Sequence, residues 1–180
     1  MNRVRIIGGT HRSRILEFPD APGLRPTPDR VRETLFNWLG QDLAGRRCLD
    51  LFAGSGALGI EAASRGAAEV VMVESNRAVF RALQENVQKL KLGNIALRNE
   101  DGLNFASRGN EQFDVIFLDP PFQSDYLEKL MPLLARQLTA EGLLYIESGT
   151  KFDAGTAWQV YKQGRASAVH YQLLQRNQND

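Results

Sequence analysis

A chain of 180 residues, 43% of them hydrophobic and 24% charged, has the size of one globular domain with a small appendage and can bury a core without covalent staples. One cysteine excludes an intramolecular disulfide framework and any Cys-x-x-Cys metal or redox motif, and two separated histidines make no metal cluster. Met1 to Gly9 holds no signal-peptide-like apolar run and no stretch reaches membrane-spanning length, so a cytoplasmic protein with no membrane and no metal is the expectation.

The net charge of +1 selects no partner, but its distribution is uneven. Met1 to Leu16 carries Arg3, Arg5, Arg12 and Arg14 and no acidic side chain. That segment reads either as an ordinary solvated end or as a phosphate-contacting arm, and by itself it does not decide. Val4 to Ile7 and Arg14 to Phe18 are strand-like and flank Gly8-Gly9-Thr10-His11, which predicts a hairpin with a longer loop and a solvent-exposed His11. Pro19 to Pro28 is a proline-rich connector. Thr27 then suits the N-cap of a helix, Pro28 its first position, and Val31, Leu35 and Leu39 share one face.

From Arg47 the pattern becomes an alternation of strands and helices. Cys48 to Phe52 reads as a buried strand running into Gly54-Ser55-Gly56, with Cys48 as a small core residue, and Ala57 to Ser64 as a helix. Val70 to Glu74 is a second strand, Arg77 to Leu90 an amphipathic helix, Ile95 to Arg98 a third strand and Phe113 to Asp119 a fourth. Tyr126 to Leu138 is predicted helical and Leu143 to Glu147 a fifth strand; Trp158 to Lys162 and Ala168 to Leu174 form a closing antiparallel pair, with His170 structural. This order predicts an α/β fold, a doubly wound and mostly parallel sheet. The chain divides into an extension, 1–40, holding the hairpin and first helix, and a body, 41–180.

Ligands of such sheets bind at the carboxyl ends of the strands, where strand order reverses. Asp50 with the glycine loop, Glu74, Asp101 and Asp119 all fall at such ends. Gly54-Ser55-Gly56-Ala57-Leu58-Gly59 matches G-x-G-x-x-G, with Glu74 at the spacing of a ribose ligand, so a nicotinamide or flavin oxidoreductase is a competing reading. Two features favour S-adenosylmethionine. Asp50 beneath the loop would repel a pyrophosphate but suits an ammonium group, and too little chain follows the fourth strand for a separate substrate domain. Phe52, Gly54, Ser55 and Gly56 then form the cofactor loop, Glu74 takes the ribose hydroxyls and Asp101 the adenine amine.

Asp119-Pro120-Pro121-Phe122 is the most specific motif. Its plain reading is a strand-ending turn. Its chemical reading uses the delocalised lone pair of a base's exocyclic amine, a poor nucleophile until each N–H meets an acceptor. The Asp119 side chain and the Pro120 carbonyl, stiffened by the following proline, supply two acceptors, and Phe122 stacks on the base.

Leu49 to Gly59 resembles the cofactor loop of class I methyltransferases, and Asp119 to Phe122 their amine-methylating motif. Arg5-Ile6-Ile7-Gly8-Gly9, Arg12-Ser13-Arg14, Gly23-Leu24-Arg25-Pro26-Thr27 and Asp29 to Asn37 resemble the RsmD family, which methylates N2 of a guanine in small-subunit ribosomal RNA. The resemblance covers nearly the whole chain, with Ser13 standing where the family tends to have glycine. It implies a class I methyltransferase fold, S-adenosylmethionine as methyl donor, and a single-chain enzyme acting on small-subunit ribosomal RNA in a partly assembled ribonucleoprotein. It also implies phosphate contacts from Arg3, Arg5, Arg12, Arg14, Arg25, Arg30 and Arg32. Adenine-N6 methylation, protein-amide methylation and a non-catalytic RNA-binding role are the alternatives.

Overall fold

A computed structural model of the chain describes residues 1–121 and 125–178. Strands β1 (Asn2–Arg5) and β2 (Ile15–Phe18) form the expected antiparallel hairpin, followed by helix α1 (Asp29–Leu39). The body runs β3 (Arg47–Asp50), α2 (Ala57–Ser64), β4 (Glu69–Val73), α3 (Arg77–Leu90), β5 (Ile95–Arg98), α4 (Gly102–Arg108), β6 (Phe113–Leu118), α5 (Tyr126–Ala135), β7 (Leu138–Ser148), β8 (Trp158–Ala166) and β9 (Val169–Arg176).

The seven strands of the body lie in the order β5-β4-β3-β6-β7-β9-β8, parallel from β5 to β7 and antiparallel at the closing pair. Strand order therefore reverses between β3 and β6. Alternate residues of each central strand enter separate apolar layers. Cys48, Val70, Met72, Val115, Phe117 and Tyr145 face one layer, shared with the hairpin, α1, α2 and α3. Leu49, Leu51, Val71, Val73, Ile116, Leu118, Leu144 and Ile146 face the other, covered by α4 and α5.

The extension is fastened to the body by apolar and ionic contacts. Val4, Ile6, Leu16, Phe18, Val31, Leu35 and Phe36 belong to the first layer. Glu61 of α2, fully buried, accepts the Ile7 N–H at 2.9 Å and the Gly8 N–H at 3.2 Å and pairs with Arg65 at 3.3 Å. Gly9 has no room for a side chain, because a Cβ there would lie 2.0 Å from the Ser64 carbonyl oxygen. Ser13, at φ 71, occupies the left-handed region that glycine favours.

Several local expectations are revised. Helix α1 is capped by Pro28 without a side-chain bond, because the Thr27 hydroxyl donates to Glu147. Helix α4 was not anticipated: it spans only seven residues and carries a short apolar pattern. Strand β7 starts at Leu138 and not Leu143, which also ends α5 at Ala135; exposed residues 140–141 and a register shift opposite Phe113/Val115 hide its first part from any periodicity. His11 is half-buried, its Nε2 lying 2.8 Å from the Leu90 carbonyl oxygen at the end of α3. No helix among the described residues is long and apolar enough to cross a membrane.

Glu61 carries the clearest energetic consequence. Replacing it with alanine strands the buried Arg65 guanidinium and two N–H groups, so Glu61→Ala should lose about 3–5 kcal/mol of unfolding free energy in urea titration. A loss below about 1 kcal/mol would show that the pair does not hold the extension in place.

Candidate active site

The residue alternation that divides the two layers also gathers the acids. Asp50 follows Cys48 on β3, and Glu74, Asp119 and Glu147 continue the same alternation beyond Met72, Phe117 and Tyr145 on β4, β6 and β7. Four neighbouring strands thus present carboxyls from one face at their carboxyl ends, at the reversal of strand order. At that spacing the charges of Glu74 and Glu147 raise the pKa of Asp50, and those of Glu147 and Asp50 raise that of Asp119.

Asp50 is buried, and its Oδ2 accepts the Gly59 N–H at 2.9 Å, which fixes the first turn of α2 over the strand end. Burial, with the charges of Glu74 and Glu147, raises its pKa to about 7 despite that bond. The glycine loop needs positive φ at Gly54 (54°) and at Gly56 (87°), the latter capping α2. Ser55 is buried, and its Oγ accepts the Ala57 N–H at 3.2 Å. Leu24 of the extension rests on the loop: a Cβ on Gly54 would lie 2.8 Å from its Cδ1.

Glu74 is half-buried and braces the loop from the next strand, accepting the Gly54 N–H at 2.9 Å and the Asn76 N–H at 2.8 Å. Phe52 packs against Tyr126, ring centroids 5.3 Å apart, and crowds Gly102 at the start of α4. Asp101, half-buried, precedes α4, and the Tyr126 hydroxyl lies 3.5 Å from its Oδ1. Tyr126, which joins Phe52 to Asp101, is a residue that sequence reasoning missed, although its place opening α5 just past the Asp-Pro-Pro-Phe motif is a usable signal.

Asp119 is half-buried and Pro120 buried, directly after β6. Phe122 lies outside the described residues. Burial first, then the Glu147 charge and a hydrogen bond from protonated Asp119 to Glu147, raise the Asp119 pKa well above the usual carboxylate range. Glu147 is the second residue that sequence reasoning missed. It is buried, and its Oε1 accepts the Thr27 hydroxyl at 2.8 Å and the Tyr145 hydroxyl at 2.6 Å.

The arginines divide. Arg3, Arg5, Arg12, Arg14, Arg25 and Arg30 are exposed. Arg3 pairs with Glu17 at 3.2 Å and Arg5 with Asp29 at 4.0 Å, while among the described residues no carboxylate forms a salt bridge with Arg12, Arg14, Arg25 or Arg30. Arg32 does not belong with them. It is 1% exposed, donates to the Thr27 carbonyl at 3.1 Å and the Arg5 carbonyl at 2.8 Å, and pairs with Asp29, so its guanidinium is consumed inside the extension and cannot reach a phosphate. Cys48 is equally inaccessible, its thiol pushed up to about 12 chiefly by burial.

Among the described residues no cluster of three or more His, Cys, Asp or Glu is placed to hold a metal ion. The carboxyl edge instead presents Asp50, Glu74, Asp119 and Glu147 without a salt-bridge partner among the described residues, and the aromatic pair Phe52–Tyr126 begins two positions after Asp50. Because the native state holds Asp50 protonated up to about pH 7 whereas the unfolded chain ionises it near 4, stability of the empty protein falls as pH rises between those values. Asp50→Asn should therefore raise the melting temperature clearly at about pH 8 and less at about pH 5. An equal shift at both would contradict the burial of an ionisable Asp50.

The family described as Conserved hypothetical protein 95 matches residues 4–175. Ribosomal RNA small subunit methyltransferase D of Escherichia coli strain K12 is 44% identical over 179 residues, covering 97% of this chain and 90% of that protein. The protein of the same name from Haemophilus influenzae is 41% identical, covering 96% and 93%. A solved structure of yhhF from Escherichia coli superposes with a TM-score of 0.89 at 43% identity, covering 98% of this chain and 99% of that one. The resemblance read from the sequence is thereby borne out, and the sheet is that of a class I methyltransferase. The chain belongs to the family described as Conserved hypothetical protein 95, which reaches across nearly its whole length.

Proposed function

We propose that this chain transfers a methyl group from S-adenosylmethionine to the exocyclic N2 of a guanine in small-subunit ribosomal RNA. The observation that carries the reading is the convergence of four carboxyls from adjacent strands at one edge of the sheet, with Asp119 followed by the rigid Pro120-Pro121 step. The relatives' names support both the reaction and the RNA.

S-adenosylmethionine supplies an electrophilic methyl on a sulfonium, and its ammonium and sulfonium charges answer the carboxyls' demand for a cation. Asp50 and the loop around Phe52, Gly54, Ser55 and Gly56 take the amino-acid part, Glu74 the ribose and Asp101, beside Phe52 and Tyr126, the adenine. Asp119 and the Pro120 carbonyl accept the two N–H bonds of the target amine, turning its lone pair toward the methyl, and Phe122 stacks on the base. With the donor bound, the amine lone pair would take the methyl as the sulfonium keeps the electron pair of its C–S bond, and the amine proton would pass to water once transfer is complete. Positioning supplies most of the rate.

The guanine leaves its stack to reach this depth. The exposed arginines, Arg3, Arg5, Arg12, Arg14, Arg25 and Arg30, orient the RNA through its phosphates. The substrate is a partly assembled small subunit, met in the cytoplasm by a single copy of the chain.

Incubation with radiolabelled S-adenosylmethionine and small subunits from cells lacking this activity should yield labelled N2-methylguanosine; label in N6-methyladenosine, or none in RNA, would overturn the reading. Asp119→Ala should cut transfer by on the order of 10²- to 10⁴-fold with cofactor binding retained. Replacing Arg12 and Arg14 together with alanine should weaken RNA binding and flatten its salt dependence by about 1.4–1.8 logarithmic units per decade. An unchanged slope would return both residues to the solvated surface.

A further inference from the structure

We propose that Glu147 is a positioning residue of this reaction, holding the Asp119 carboxyl at the target amine and tying it, through Thr27, to the segment that leads into α1. The inference rests on the methyl-transfer reading above.

Glu147 is 4% exposed, more deeply buried than half-buried Asp119 beside it, so it acts through that neighbour and not on the substrate. Register places it there: Leu118 pairs with Ile146, and the next residues along the parallel strands are Asp119 and Glu147. One oxygen of Glu147 is held by two neutral hydroxyls, from Thr27 at 2.8 Å and Tyr145 at 2.6 Å. A buried carboxylate is expensive, and a leucine would fill the same volume in a layer already built of Phe117, Tyr145 and Leu173 without that desolvation. The polar network is useful only if it fixes something, and the group it touches is Asp119.

Thr27 gives the network its reach. Its hydroxyl forgoes the capping of α1 and crosses to β7, while its carbonyl accepts from buried Arg32, which also binds the Arg5 carbonyl of the hairpin.

The groups facing Asp119 are Glu147 and Tyr145 from β7 and Asp50 from β3; Glu147 also meets Thr27 and, across the register, Tyr171 of β9. Among the described residues no lysine or arginine hydrogen-bonds to either carboxyl. One proton shared between the two carboxyls makes the Asp119–Glu147 hydrogen bond, and Asp119 accepts the amine N–H through its other oxygen; the negative charge of Glu147 opposes loss of that proton. Removing that charge eases ionisation of Asp119 while loosening its placement.

The test is the pH dependence of single-turnover methylation of small subunits from cells lacking the activity, for wild type, Glu147→Gln, Thr27→Val and Thr27→Ser. Glu147→Gln should lower the plateau rate by on the order of 10²-fold with cofactor affinity retained, and move the acid limb to lower pH. Thr27→Val should lower the plateau in the same direction, and Thr27→Ser restore it. A Glu147→Gln rate near wild type, or a loss with the acid limb unmoved, overturns the proposal. If Glu147→Gln fails to fold, Thr27→Val decides, and wild-type turnover in that variant overturns it. Absence of methylation by the wild-type chain overturns the methyl-transfer reading itself, whereas active wild type with unaffected variants overturns this proposal alone.

Discussion

Like charges in a partly buried recess repel strongly: two carboxylates about 4 Å apart at an effective dielectric near 20 oppose each other by about 4 kcal/mol. The carboxyl edge of this sheet sets Asp50, Glu74, Asp119 and Glu147 beside one another, and the surrounding structure is organised around keeping them there. Backbone N–H groups of Gly59, Gly54 and Asn76 take up part of the charge of Asp50 and Glu74, and hydroxyls of Thr27 and Tyr145 part of that of Glu147. What remains appears as raised proton affinity at Asp50 and Asp119. A site in that state suits a positively charged ligand, and a sulfonium cofactor with an ammonium group meets the requirement.

The extension contributes more than a charged surface. Its apolar residues complete one of the two core layers, Glu61 grips its Ile7–Gly8 backbone, and Leu24 and Thr27 reach the glycine loop and the acid cluster. The hairpin arginines that remain exposed are thereby carried on an element mechanically continuous with the chemistry. Arg32 illustrates the division of labour, because the same arginine-rich run that offers cations to solvent also spends one internally as a brace.

Much of this was legible in the sequence, for identifiable reasons. Helices α2 and α3 and strand β5 fall on the expected residues because apolar periodicity and turn residues agree there. The placement of Asp50, Glu74 and Asp119 at neighbouring strand ends was legible from the alternation of strands and helices, which in a doubly wound sheet marks where ligands are expected. Glu147 was hidden, since an acid ending a strand looks solvated until register sets it beside Asp119. Arg32 was misassigned for the converse reason: sequence proximity to exposed arginines says nothing of the inward face of α1, which Val31, Leu35 and Phe36 share with it. Thr27 obeyed the rule for a helix cap and was overridden by a tertiary partner 120 positions away.

The central claim is geometric: one recess holds a cationic methyl donor with its methyl directed at Asp119. A crystal structure of the chain with S-adenosylmethionine bound tests it most directly. The account predicts the ammonium group within hydrogen-bond reach of Asp50, the ribose at Glu74, the adenine between Asp101 and the Phe52–Tyr126 wall, and the methyl facing Asp119 and the Pro120 carbonyl. A cofactor bound elsewhere, or bound here with its methyl turned away from Asp119, would contradict it.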